Sequence, residues 1–214
     1  GDFDVDEMEA KIKKNFGKIK ARKKPRARTE YGKPDFEGTR VAIASDDEAT
    51  GNTINVSFIT PGSSERKADK EAFRTSLLRG LYSNMLNQRM NELTQSPNPP
   101  FQFSFSSYGA SLGKNKYEYN IYVSVKEDQF EEGLRAAVRE NERVRRYGFT
   151  NGEFERVKAA YRNSYERRVK EADKQESPRI VNRYVNHFLN GGYLLNEQQE
   201  LDLIEELMSG IQLE

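Results

Sequence analysis

The chain has 214 residues with 35 basic and 34 acidic side chains, for a formal net charge of +1, so no global field draws it towards polyanions and a nucleic-acid partner would need a local basic patch. Cysteine is absent, which removes disulfides, thiolate zinc sites and cysteine nucleophiles together. Hydrophobic residues make up 35% against 32% charged, but they fall in periodic stripes, and no apolar run approaches the roughly 18–20 residues of a membrane span.

At the N-terminus Asp4 and Glu7 have capping-box spacing, Met8, Ile12 and Phe16 follow at four-residue intervals, and Gly17 is a stop. The spacing predicts a short helix over 5–16. So thin a stripe needs a sheet to lie on, and the strand that should precede it is missing. The helix therefore reads as the end of a preceding domain, cut at this point and poorly anchored here. Lys18, Lys20, Arg22, Lys23, Lys24, Arg26 and Arg28 follow with no acid before Glu30, and Pro25, Gly32 and Pro34 break regular structure. This stretch reads as a solvated tether; a phosphate-binding arm would want interleaved aromatics.

Val41–Ala44 and Ile54–Thr60 carry strand signals, with Asp46–Gly51 as the turn between them and Pro61-Gly62-Ser63-Ser64 closing the second. From Ala68 to Leu93 the spacing becomes helical: Phe73, Leu77, Leu81 and Met85 recur, with Leu78, Tyr82, Leu86, Met90 and Leu93 beside them. One wide face of that helix must be buried. Pro97, Pro99 and Pro100 end it. Phe101, Phe103 and Phe105 then alternate with polar residues, but the apolar set moves to even positions at Tyr108, Ala110 and Leu112, which predicts a bulge or sharp bend near Ser106–Gly109. Gly113–Lys116 reads as a hairpin turn into a strand bearing Tyr117, Tyr119, Ile121, Val123 and Val125.

Asp128 with Glu131 predicts the cap of the next helix, whose stripe is Phe130, Leu134, Ala137, Val138, Val144 and Tyr147, ending at Gly148. Thr150 with Glu153 caps another, carrying Phe154, Val157, Tyr161, Tyr165 and Val169. Ser177-Pro178 reads as the N-cap and first-turn pair of a helix with Ile180, Val181, Tyr184, Phe188 and Leu189, stopped at Gly191-Gly192. The last runs from about Asn196, with Gln199 completing its cap, to Gly210, and its face is Leu201, Ile204, Leu207 and Met208. Together these predict an α+β fold, an antiparallel sheet with helices packed mainly on one face. The polar alternates Asn55, Ser57, Glu118 and Asn120 then face water or another domain on the opposite side.

The residues permit little chemistry of their own. His187 is the one histidine, and an imidazole zinc site needs at least two. The acid pairs Asp46-Asp47, Glu131-Glu132 and Glu205-Glu206 lie in turns or on charged helix faces, and neither a G-x-S-x-G elbow nor a phosphate-cradling glycine loop is present. No catalytic residue and no metal or other cofactor is therefore expected in this chain. Arg89 sits near the end of the long helix just before the proline break, where a guanidinium can clamp a peptide carboxylate or steady an oxyanion, against the plainer reading of a surface arginine.

The run Gly1-Asp2-Phe3-Asp4-Val5-Asp6-Glu7-Met8, continuing to Asn15-Phe16-Gly17-Lys18-Ile19, resembles a segment of the insulinase-like (pitrilysin-like) zinc metallopeptidases. There a strand ending in Gly-Asp, a helix and a Phe-Gly stop close the first domain of a half-molecule before a linker and a second domain. Residues 38–62, the helix through Leu86-Asn87-Gln88-Arg89-Met90-Asn91-Glu92-Leu93, the strands to Asp128 and the run Arg143–Thr150 are similar to that second domain in bacterial members. Order and spacing carry the resemblance, over nearly the whole chain.

It implies residues 1–20 as the C-terminal helix of the preceding domain, 21–37 as a basic linker, and 38–214 as a non-catalytic α+β domain. It also implies a parent protein that binds zinc in its first domain through an inverted H-x-x-E-H helix and a later glutamate, which nothing here matches. This chain would then form a wall of a chamber enclosing peptide substrate, beside the zinc-bearing domain of the same polypeptide, with no nucleic acid and no membrane span, in the periplasm or cytoplasm of a bacterium. Some family domains carry an arginine and, several residues on, a tyrosine that contact substrate opposite the zinc. Arg89 matches the arginine. The tyrosine position falls near Phe101, where the hydroxyl is lost, and Tyr108 replaces it only if the bend brings it round, so the resemblance implies Arg89, Phe101 and Tyr108 as substrate-binding residues. Two other readings stay open: a structural or binding domain of an inactive homologue, and an adaptor using its basic linker for acidic partners.

Overall fold

The structure, a computed structural model, describes residues 2–27, 29, 31–32, 34–62, 68–111 and 116–213. In chain order its elements are α1 (Val5–Phe16), β1 (Asn52–Pro61), α2 (Lys70–Thr94), β2 (Phe103–Ala110), β3 (Lys116–Val125), α3 (Phe130–Tyr147), α4 (Asn151–Lys170), α5 (Ser177–Asn190) and α6 (Glu197–Ser209). The local signals set most boundaries. Asp4 accepts the Glu7 N–H at 2.8 Å to start α1. Capping boxes at Thr150/Glu153 and Asn196/Gln199 start α4 and α6. Ser177 is not the cap of α5 as its sequence suggests: Glu176 holds that position without a side-chain bond and Ser177 is already helical with Pro178 behind it, while Gly191 closes the helix in the left-handed region at φ 63°.

The sheet is antiparallel in the order β1-β3-β2. Ile54, Val56, Ile121, Val123 and Val125 lie on the face covered by α2 and α3. The polar alternates sit on the other face, where Ser57 Oγ donates to Glu118 Oε1 at 2.5 Å and Asn120 Nδ2 to Ser57 Oγ at 3.1 Å. The fold is thus α+β with its helices mainly on one side.

Several other expectations fail. β2 pairs β3 without interruption from Phe103 opposite Ser124 to Ala110 opposite Tyr117, so no bulge occurs near Ser106–Gly109. The large side chains Phe103 and Phe105 cluster with Tyr122 on the open face, the Phe105 and Tyr122 rings stacking at 5.2 Å, while the small Ser104 and Ser106 lie buried towards α2. That smallness lets α2 approach the sheet edge. Asn87 accepts from the Ser106 N–H at 2.7 Å and donates to its carbonyl at 3.0 Å, satisfying edge groups that would otherwise await another strand.

Val41–Ala44 is not a strand: Val41 is 81% and Ile43 92% exposed, and alternation yields a strand only where a ladder receives it. In α3, Gln129 occupies the cap position without a side-chain bond, so the Asp128/Glu131 box does not form. Its buried residues are Gly133, Ala137, Glu140 and Val144, whereas Phe130, Leu134 and Val138 are exposed. A Cβ at Gly133 would collide with Val125 and crowd the Pro100 carbonyl. The small residues of α3, not the large ones, therefore face the sheet. The Gly113–Lys116 turn, with Leu112 before it, lies outside the described residues except for Lys116, which begins β3.

The core has two clusters that share α2. Leu77, Leu81 and Met85 meet Phe154 and Val157 of α4 and Ile204, Leu207 and Met208 of α6. One turn later Leu86 and Met90 meet Phe101, Ile121, Val123, Ala137 and Val144. Mid-helix Gly80 lies under the Tyr161 hydroxyl of α4, which a Cβ there would have to displace. No residue of α1 is buried. Gly80→Ala should therefore destabilise by about 1–3 kcal/mol through overpacking, although alanine gains about 1 kcal/mol of helix propensity. Gly152→Ala, with only ordinary contacts around it, should be neutral or stabilising, and urea unfolding of the two variants checks the contrast. Amide exchange should also be far faster over Met8–Phe16 than over Leu77–Met90, since α1 lacks a tertiary partner.

Candidate functional site

Arg89 leaves α2 on the side facing the α3–α4 junction. Its Nε and Nη2 donate to Glu153 Oε1 and Oε2 at 2.5 and 2.8 Å, Nη2 also reaches the Gly148 carbonyl at 3.2 Å, and its guanidinium lies 5.1 Å from the Phe149 ring centre. Gly148 exposes that carbonyl by turning the chain at φ 66°, a region that favours glycine. Glu153 serves twice, because its Oε2 also accepts from the Thr150 N–H at 2.7 Å in the α4 capping box. The pair is nearly enclosed, with side-chain exposures of 15% and 12%. The Arg89 guanidinium holds the Glu153 carboxyl down to about 2, against the opposing effect of burial.

Phe101 is 1% exposed, at the centre of the second core cluster beside Leu86 and Ala137. Tyr108 is placed differently, on the helix-facing side of β2, opposite Tyr119 in the register. It lines an open cleft of about 550 Å³ between α2, the sheet, the start of α4 and the C-terminal residues, whose walls include Leu78, Tyr82, Tyr119, Phe149 and Leu213. Of the three residues singled out in the sequence, Tyr108 alone reaches this cleft. Arg89 touches its wall from behind, through Phe149.

The aromatic walls brace one another. Tyr82 meets Phe149 edge-on at 5.5 Å and Tyr119 at 6.3 Å, and the Tyr119 hydroxyl donates to Asn141 Oδ1 on α3. Burial pushes both the Tyr82 and Tyr119 phenols up, so they stay protonated at neutral pH. Arg79, passed over in the sequence, stacks on Tyr108 with its guanidinium 4.0 Å from the ring centre and 5.2 Å from that of Tyr117. Its only sequence signal was a cation within the apolar stripe of α2, one residue after Leu78 and two before Leu81.

Among the described residues no three His, Asp or Glu side chains are grouped to hold a metal ion. His187 lies at the exposed end of α5, with Nδ1 2.7 Å from the Gly192 carbonyl. The described residues do not fit a zinc centre. Among the described residues no helix is long and apolar enough to cross a membrane.

Because Glu153 titrates lower in the folded chain than its ordinary 4.5, its contribution is present above about pH 4.5 and is lost as pH falls towards 2. Urea unfolding across pH 2–7 should show stability declining over that window, and Arg89→Ala should flatten its share of the slope. At neutral pH the same variant should lose about 2–3 kcal/mol, since it strands an enclosed carboxylate.

A family model described as the peptidase M16 inactive domain matches residues 1–161. A zinc protease PQQL-like protein of Arabidopsis thaliana is 24% identical over 212 residues, which cover 99% of this chain and 19% of that protein. The crystal structure of the periplasmic protease PqqL from Escherichia coli aligns with a TM-score of 0.81 at 19% identity, over 99% of this chain and 23% of that one. A predicted insulinase family protease from Yersinia pestis aligns with a TM-score of 0.75 at 14% identity, over 100% of this chain and 45% of that one. This chain thus spans about a fifth of its Arabidopsis relative, and at these identities the solved structures speak for the fold. With 161 of its 214 residues inside the family model, the chain belongs to the peptidase M16 inactive-domain family.

Proposed function

We propose that this chain is the non-catalytic domain of a larger zinc-dependent peptidase of the insulinase-like family, and that it forms part of the wall enclosing peptide substrate. The observation that carries this reading is the match to the inactive-domain family in a chain whose described residues group no metal ligands. Zinc would be held elsewhere in the parent polypeptide, in the domain preceding this one. Residues 1–20 would belong to that preceding domain, 21–37 would be the linker and 38–214 the domain proper. An unburied α1, and the absence of regular structure among the described residues from Gly17 to Gly51, support this division. The description of the Escherichia coli neighbour as a periplasmic protease supports a bacterial periplasmic setting.

In this reading the cleft beside Tyr108 receives substrate. Its volume of about 550 Å³ lies within the roughly 300–1,000 Å³ usual for binding pockets, and its lining of aromatic and aliphatic side chains suits a peptide's apolar groups. Arg89 and Phe101 act behind it as positioning residues: Arg89 fixes Phe149, and Phe101 fills the core beneath the helix that carries Tyr82.

The test uses the parent polypeptide. Arg89→Ala should lower kcat/KM for peptide on the order of tenfold by displacing the Phe149 wall, with zinc content unchanged. His187→Ala should change neither. Zinc-dependent cleavage by the pure 214-residue chain would overturn the assignment, and unchanged turnover in Arg89→Ala would remove the positioning role.

A further inference from the structure

Among the described residues lining the cleft, Arg79 alone carries a formal charge. The rest are apolar or aromatic apart from Ser83 and Gln212. Arg79 makes no ion pair with any described carboxylate, whereas Arg89, Arg162, Arg168 and Arg183 on neighbouring elements all have acidic partners. Arg79 is partly buried, and its guanidinium carbon lies over the Tyr108 ring at 4.0 Å and 5.2 Å from the Tyr117 ring centre, with Tyr108 and Tyr117 stacked on each other at 5.8 Å and Thr60 meeting the Tyr108 hydroxyl at 3.4 Å. A guanidinium stacked by its face keeps its edge N–H groups for in-plane bonds, and carboxylate is the group whose two oxygens match that fork. The apolar surroundings strengthen such a bond relative to water. The glutamate nearest in kind, Glu153, is already taken by Arg89, and Glu118 lies on the opposite face of the sheet.

We propose that Arg79 makes this cleft selective for a peptide segment in which an aromatic or long aliphatic side chain stands next to an aspartate or glutamate. The apolar side chain enters among Tyr82, Tyr119, Phe149 and Leu213, and the carboxylate pairs with Arg79 over Tyr108. An acidic side chain is the chosen source because the cleft is open, so a chain can run through it and need not end there. This rests on the reading of the cleft as a peptide-facing surface and adds the residue that sets its preference.

The test measures binding to the parent polypeptide by isothermal titration with N-acetylated, C-amidated peptides Gly-Leu-Phe-Glu-Gly and Gly-Leu-Phe-Gln-Gly, and with Gly-Leu-Phe-Gly bearing a free C-terminal carboxylate. The Glu peptide should bind about tenfold more tightly than its Gln twin, with the preference shrinking as salt rises. Arg79→Gln should abolish that preference, and Arg79→Lys, which keeps the charge and loses the fork, should retain part of it; thermal melting verifies that both variants are folded. Should Arg79→Gln fail to fold, the twin peptides and Arg79→Lys decide. Equal binding of the twins to the native protein, or an undiminished preference in folded Arg79→Gln, would overturn the proposal. Tighter binding of the free-carboxylate peptide would overturn the acidic-side-chain source. Turnover separates this from the chamber reading: a parent that cleaves both twins equally sinks the role of Arg79 and leaves that reading intact. A parent that cleaves neither sinks the reading, while the binding preference is still measured.

Discussion

Everything in this domain hangs on one helix that is buried twice. α2 gives Leu77, Leu81 and Met85 to one core and Leu86 and Met90 to the other, so its buried face must change between Met85 and Leu86. A helix presents one contiguous stripe at a period of 3.6, and two partners on different sides widen that stripe beyond what either packing would hold alone. The Arg89–Glu153 pair sits just past that changeover and ties the second half of α2 to the first turn of α4, whose Phe154 and Val157 belong to the first core. One carboxylate thereby completes a helix cap and cross-links two cores. Enclosed ion pairs are weak sources of net stability, because desolvation offsets attraction, but they specify geometry. Here the geometry specified is the angle at which α4 leaves α3.

Much of the fold was legible because its punctuation is local. A helix cap needs only two residues three apart, so the Asp4 cap and the boxes at Thr150/Glu153 and Asn196/Gln199 could be read directly. Alternation likewise placed β1 and β3. Legibility ended wherever the answer depended on distance between elements. The sequence shows that β2 has large residues on one face and small ones on the other, and the usual presumption puts the large ones inward. Here Ser104 and Ser106 go inward because α2 comes close enough for Asn87 to bond the strand's edge. The same inversion occurs in α3, where Gly133 and Ala137 face the sheet and Phe130 faces outward. In both cases the small residues mark the closest approach.

For the candidate site, the sequence singled out three residues, of which Tyr108 lines the cleft and Arg89 lies behind its wall. Tyr108 does line the cleft, without the bend that was invoked to bring it there, because even positions of β2 already face the helices. Arg89 could be singled out from its place at the end of α2, but its partner is 64 positions away, and nothing in Glu153 beyond its capping role signals a long-range pair. Arg79 gave even less. A lone cation inside an apolar stripe is usually a side chain whose charged end reaches water past its aliphatic stem, and only the stacked rings of Tyr108 and Tyr117, contributed by a hairpin, turn it into a fixed group.

These two arginines shape the cleft in different ways. Arg89 acts inward: its Nε–H and Nη2–H groups bond Glu153 and Gly148, and what it offers the cleft is the position of Phe149, which in turn meets Tyr82 edge-on. Arg79 holds its plane by stacking and leaves its N–H edge without a described acidic partner. The first kind of arginine makes a wall rigid and the second makes it selective, and both depend on α2 being fixed along its whole length. Ten residues, or about 15 Å of helix at 1.5 Å per residue, separate them. A loosened Arg89–Glu153 pair would therefore be felt at Arg79 only through movement of the helix itself, whereas Phe149, in direct contact with both Arg89 and Tyr82, would shift first. Selectivity and rigidity are in this sense separable properties of the same cleft, carried by different turns of one helix.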